Sequence, residues 1–139
     1  EEHDTMRKEI ESFEAQAVER AKDSLVEKAR TINGVKVITA VMPIDPARAK
    51  DLVFKIRQAV PENLLCAIGT DGGGKPMISV MLSDDMVKDH GLNAGQMVRE
   101  AAKLIQGGGG GQPHYATAGG KNPDGLSAAI DKVVELANL

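Results

Sequence analysis

Residues 35–69 read VKVITAVMPIDPARAKDLVFKIRQAVPENLLCAIG, and this stretch decides the fold. Val35 to Met42 is β-branched and apolar with little alternation, the pattern of a strand covered on both faces. Asp45-Pro46 supplies a helix cap and a first-turn proline. Leu52, Val53, Ile56 and Val60 then form a helical stripe up to Pro61, which predicts a helix over 46–59. Leu64 to Gly69 is a second apolar strand. Strand, helix and strand in this order make a crossover unit, so the two strands are expected parallel with a right-handed connection. Asp71-Gly72-Gly73-Gly74-Lys75-Pro76 is a turn sequence, and Met77 to Leu82 reads as a third strand returning antiparallel. The expected class is α/β with an α+β character: a small mixed sheet in β-α-β-β order, a helix before it, and helices and a glycine-rich loop after it.

Upstream, residues 2–30 hold strong helix formers and no Gly or Pro, with Met6, Ile10, Phe13, Ala17, Ala21 and Leu25 at three- and four-residue steps. This amphipathic helix suits packing on the domain or a short coiled coil continuing upstream, and the coiled coil is the preferred reading. Asn33-Gly34 is read as its end. Downstream, Asn93 with Gln96 makes a capping box for a helix over about 93–106, carrying Met97, Val98, Ala101, Leu104 and Ile105. Asn122-Pro123 opens a last helix whose Leu126, Ala129, Ile130, Val133 and Leu136 face the core. The expected division is a helical arm over 1–34 and a globular unit over 35–139.

With 139 residues the chain has room for one core, and an aromatic content of 2% makes that core aliphatic. The single Cys66 lies in an apolar run and excludes an intrachain disulfide, which fits a reducing, cytoplasmic setting. No apolar stretch approaches the roughly 20 residues that span a bilayer, so a soluble chain with no membrane partner is expected. The acidic start without Met, already inside a helical pattern, reads as a piece of a longer protein. Net charge is −3, with the excess of acid in residues 1–34, so binding of a polyanion would have to use a local patch.

The five consecutive glycines Gly107, Gly108, Gly109, Gly110 and Gly111 are the most informative feature. Without Cβ atoms such a run lets another chain approach the backbone and meet its N–H groups, which suits phosphate or ribose. It lacks the Lys and Ser/Thr of a G-x-x-x-x-G-K-[ST] loop and follows a helix rather than a strand, so nucleotide cofactor binding is disfavoured. Gly119-Gly120-Lys121-Asn122-Pro123 sets a cation at a helix amino terminus, where free N–H groups and the helix dipole attract anions. Arg99 and Lys103, four apart on the preceding helix, add a small basic patch. His114 and Tyr115 are suited to stacking on, or hydrogen bonding to, a nucleotide. His3, His90 and His114 are scattered without Cys or acidic partners at ligand spacing, which argues against a metal site and against His-based catalysis. Asp84-Asp85 reads as an acidic pair in a loop, capping or solvated rather than metal-binding, and Asp71 to Lys75 as a hairpin turn.

Gln106 to Lys121, QGGGGGQPHYATAGGK, and its continuation NPDGLSAAIDKVVELA resemble the carboxy-terminal domain of alanyl-tRNA synthetases over roughly residues 35–139. Residues 1–30 are similar to the helical arm that joins this domain to the synthetase body. The same module resembles the nucleic-acid-binding end of DHH-type phosphoesterases, including single-strand exonucleases, although Gln112 stands where a His often closes their glycine run. The first resemblance implies a non-catalytic domain gripping the outer corner of alanine-specific tRNA, supporting aminoacylation and the editing of mischarged tRNA. It further implies Gly107 to Gly111, Gln112, His114, Gly119, Gly120, Lys121 and Asn122 as the contact surface. It places ATP, Mg²⁺ and Zn²⁺ in upstream domains and none in this chain. The alternatives are a substrate-gripping domain of a phosphoesterase and an oligomerisation module forming a homodimer through the amino-terminal helix. Because the glycine run is read as a loop, Gly109→Val is expected to weaken tRNA binding with stability nearly unchanged.

Overall fold

The crossover unit read from residues 35–69 is present in a computed structural model that describes residues 18–42, 44, 46–71 and 75–137. Strand β2 (Val35–Met42), helix α2 (Pro46–Ala59) and strand β3 (Leu64–Thr70) follow one another, and β2 pairs parallel with β3 in the register Lys36 to Leu64. Strand β4 (Met77–Leu82) returns antiparallel to β3. Every residue of β3 is buried, as the unalternating apolar run demands for a strand covered on both sides. The Asp45 cap, Gly72 to Gly74 of the turn, and the Met6 to Ala17 part of the amino-terminal seam lie outside the described residues.

Two cores result, one on each face. Leu52, Val53 and Ile56 of α2 meet Ile38, Leu64, Cys66 and Ile68 on one side. On the other, helix α4 (Ala94–Ala102) and helix α5 (Leu126–Ala137) bury Met97, Val98, Ala101, Ala129, Ile130 and Val133 against Val37, Leu65, Ala67, Ile78 and Val80. Burying each such large aliphatic side chain contributes about 1.5–3 kcal/mol. Cys66 belongs to the first core, and burial pushes its thiol pKa well up, so it acts as an apolar filler.

Three readings upstream of the glycine run are corrected. Asn33-Gly34 does not end a helix: among the described residues helix α1 covers 18–27, and strand β1 (Arg30–Ile32) pairs antiparallel with β2 across this dipeptide. Both turn residues have positive φ, 50° and 84°, as the two-residue hairpin turn that follows the strand twist requires. The described part of the seam packs on the domain rather than standing free for a coiled coil. Val18 is buried in the α2-side core, with Ala21 and Leu25 packed against it. A short helix α3 (Asp84–Lys88) replaces the expected loop, and Asp85 accepts the N–H of Asn63 at 2.9 Å.

The largest correction concerns the glycines. Gly108–Gly111 is not a loop but strand β5, pairing antiparallel with strand β6 (Tyr115–Gly119), which in turn pairs with β4. The sheet therefore has six strands in the order β1-β2-β3-β4-β6-β5, and the glycine strand is its edge. Among the described residues, no helix is long and apolar enough to cross a membrane.

Candidate functional site

The site follows from how β5 is held. Asn93 caps α4 by accepting the Gln96 N–H at 3.1 Å, and a single 3-10 turn over Lys103–Ile105 continues the helix to Gln106, whose φ of 56° turns the chain. Gly107 N then donates to Ala102 O at 2.9 Å, which pins the start of the run beneath the helix end. Its far end is closed by Gln112 N donating to Tyr115 O at 2.9 Å.

That last bond sets the parity of the edge. In an antiparallel ladder, bonded pairs alternate with non-bonded ones. Gly110 opposite Thr117 and Gly108 opposite Gly119 are bonded pairs, whereas Gly109 opposite Ala118 and Gly111 opposite Ala116 turn their N–H and C=O groups away from β6. The β4 side agrees, since Leu82 N donates to His114 O at 2.7 Å and Gly120 N to Pro76 O at 3.0 Å. The main-chain groups of His114, Ala116, Ala118 and Gly120 therefore serve β4.

The glycines divide in the same alternation. A Cβ on Gly109 would collide with Thr117 O and the Ala118 backbone, and one on Gly107 with Gly119 O. On Gly111 it would lie 2.8 Å from Ala116 Cα. These three positions bring the edge strand against its neighbour more closely than any side chain permits. Gly108 differs: a Cβ there meets nothing within 4 Å. Among the described residues nothing demands glycine at 108, and the surface there is bare.

Arg99 reaches from α4 to this edge. Its Nε donates to Gly109 O at 3.3 Å, and its guanidinium lies 3.2 Å from where a Cβ of Gly110 would sit. The cation is thereby fixed beside the outward N–H groups. Lys103 is exposed but paired with Glu100 at 3.2 Å, and like pairs of this kind it contributes little. Gln112 is exposed and His114 half-buried beside the strand, and Gly119, Gly120 and Lys121 follow at the end of β6. The structure thus gathers Arg99, the glycine strand, Gln112 and the Gly119–Lys121 turn along one edge.

One expected element is absent from that edge. The helix amino terminus after Asn122 has few free donors: Lys121 N and Asn122 N both donate to Ile105 O, at 2.8 and 2.9 Å. Asp124 N donates to Asn122 Oδ1 at 3.2 Å, and Gly125 N to Asn122 O. These bonds fasten the turn to the end of α4, so Asn122 is an anchor, and Lys121 presents only its exposed side chain. Among the described residues no cluster of His, Cys, Asp and Glu is placed to hold a metal ion.

Comparison with known proteins gives the family and the fold. Residues 34–138 fit the family described as the DHHA1 domain. An alanine–tRNA ligase of Bacteroides fragilis is 49% identical over 134 residues, covering 96% of this chain and 15% of that protein. That of Bacteroides thetaiotaomicron is 48% identical over 139 residues, covering 100% of this chain and 16% of its own length. The chain therefore spans about a sixth of these relatives. Among solved structures, the C-Ala domain from Aquifex aeolicus alanyl-tRNA synthetase superposes with a TM-score of 0.69 at 24% identity, covering 80% of this chain and 98% of that one. RecJ from Thermus thermophilus, in complex with Mg²⁺, superposes at 0.60 with 15% identity over 91% of this chain and 18% of its own. At these identities the two structures speak for the fold alone.

Proposed function

The chain belongs to the DHHA1 domain family, and from that premise we propose that it is the carboxy-terminal, tRNA-gripping part of an alanine–tRNA ligase. The observation that carries the reading is the near-complete coverage of this chain by alanine–tRNA ligases at 48–49% identity. The geometry supports it with an exposed strand edge whose N–H groups face outward beside a fixed guanidinium. Such an edge suits a folded polyanion, because backbone donors and a cation meet phosphate or ribose without an intervening side chain.

In this reading Gly107 to Gly111, Gln112, His114, Gly119, Gly120 and Lys121 lie on or beside the contact surface, with Arg99 as its cation, Lys103 at its margin and Asn122 holding the turn. The domain binds the outer corner of tRNA and supports charging and editing, in a cytoplasmic enzyme whose ATP and metal sites lie in other domains. The amino-terminal segment, whose residues 18–32 pack on this domain as α1 and β1, acts as the arm to the rest of the enzyme. Self-association through it would not use Leu25, which packs against the α2-side core. The phosphoesterase reading has only likeness of fold behind it, at 15% identity.

Binding of an alanine tRNA transcript to the 139-residue chain, measured by filter retention, tests the proposal. With Arg99, Lys103 and Lys121 as phosphate contacts, the salt slope is expected at about −2 to −3. A rise from about 50 to about 200 mM salt then weakens binding roughly 30-fold. A flat response would remove these cations from the site, and an equal preference for single-stranded DNA would favour the phosphoesterase.

A further inference from the structure

The α2 side of the sheet is left partly bare. Tyr115 belongs to the core under α2, whereas Ala116 and Ala118 belong to the core under α4 and α5. By the alternation of a strand, Thr117 and Gly119 therefore share the face of Tyr115, as do their partners Gly110 and Gly108. Helix α4 packs on β5 and β6 from the opposite side, and α2 packs on β3 and β4. Among the described residues, the end of the sheet beyond Tyr115 has a floor of Gly108, Gly110, Thr117 and Gly119, bordered by Met77 and Ser79 of β4. A Cβ on Gly108 meets nothing, and one on Gly119 would touch only Pro76 O at 4.0 Å.

At the border of this floor stands an aromatic pair. The chain has one Tyr, two Phe and no Trp, and Phe54 of α2 lies on Tyr115 with ring centroids 5.0 Å apart, tilted by 59°. Phe54 is 38% exposed, an unfavourable position for a large apolar ring when the aliphatic core lies next to it. Cations frame the same area. Exposed Lys50 precedes Phe54 by one helical turn and so shares its flank of α2, while Lys55, on the other flank, pairs with Glu19. The Arg99 guanidinium closes the far rim beside Gly110.

We propose that this trough takes an unstacked nucleobase of the bound RNA, stacked against Phe54 and Tyr115, with its flanking phosphates between Lys50 and Arg99. The ladder groups of Gly108 and Gly110 are engaged by β6, so the floor offers no donors for a phosphate alone. Its flatness fits a planar ring, and the positive rim selects a polyanion over an apolar protein surface. This inference rests on the RNA-binding reading and adds to it a place for a base, apart from the strand edge.

Because Tyr115 is the sole tyrosine, ¹³C-tyrosine labelling gives one set of ring signals to follow by NMR while the tRNA transcript is added to the whole chain. The ring signals are expected to shift on binding. Phe54→Leu, an apolar replacement at a part-exposed site, is expected to lose about tenfold in affinity, and Phe54→Tyr to retain it. Should Phe54→Leu fail to fold by circular dichroism, the ring signals and Phe54→Tyr still decide. Transcript binding with unmoved ring signals, or with equal affinity for Phe54→Leu, overturns the trough and leaves the strand edge standing. No binding by the unaltered chain overturns the RNA reading itself. Ring shifts that follow protein concentration without RNA assign the face to a second copy and overturn the proposal.

Discussion

Replacing Gly109 by valine is expected to unfold the glycine edge and lower stability by about 3 kcal/mol or more, an effect at the severe end for one substitution. The cause is local and steric. A Cβ at this position meets Thr117 O and the Ala118 backbone, and neither is the movable end of a side chain. The strand must leave β6 to accept the valine, which strips the bonded pairs at Gly108 and Gly110 and releases Arg99 from Gly109 O. With β6 uncovered, Ala116 and Ala118 lose neighbours in the core under α4. Thermal unfolding followed by circular dichroism reads the loss, and a midpoint equal to that of the unaltered chain would contradict the packing described here. This outcome reverses what a loop implies, namely weakened RNA binding with stability unchanged. A strand wedged against its neighbour has no such tolerance.

One residue earlier the expectation inverts. Gly108→Glu is expected to leave stability within about 0.5 kcal/mol, because its Cβ enters open space and the residue lies in an extended edge strand. It is expected to weaken binding of the tRNA transcript by about a hundredfold. The side chain fills the bare surface that a ligand would approach, and a carboxylate facing phosphate costs several kcal/mol where water is excluded. Gly108→Ala separates the two contributions, with a smaller loss from bulk alone. Unchanged transcript binding by Gly108→Glu, with the fold intact, would move the contact surface away from this strand.

The contrast between these neighbours marks the limit of what the sequence discloses. Helix α2 is legible to the residue, because Pro46 and Pro61 bracket it and Leu52, Val53 and Ile56 repeat at helical steps. The parallel pairing of β2 with β3 follows from the connection between them. The Asn93 and Asn122 caps are likewise visible as side chains with a local job. Strand β1 is hidden by the helical run before it, although Asn33-Gly34 carries the strongest short-range hairpin signal in the chain. Strands β5 and β6 are hidden for a different reason. Glycine has no side chain to alternate, and Tyr115 to Gly119 is made mostly of small residues, so no period of two can be read. Their pairing is fixed by contact with β4, more than thirty residues away in sequence.

The candidate site is legible in composition and not in geometry. Its glycines, Arg99 and Lys121 are readable as a group because bare backbone and cations together suit a polyanion. Which glycines the fold itself requires depends on the ladder parity set by Gln112 and Tyr115, which no residue type encodes. The expected anion site at Asn122 fails on the same ground, since Ile105 O takes the N–H groups that the motif offers. Phe54 escapes sequence reasoning altogether: within α2 it falls off the apolar stripe, and only the meeting with Tyr115 gives it a role.

The most direct test of the alternating glycine strand is amide hydrogen exchange at Gly108 to Gly111, by NMR, in the free chain and in its complex with the tRNA transcript. The amides of Gly108 and Gly110 are predicted to exchange slowly in both states, and those of Gly109 and Gly111 to exchange fast in the free chain and slow down in the complex. Four fast amides in the free chain, or outward amides that stay fast when the transcript is saturating, would contradict the account.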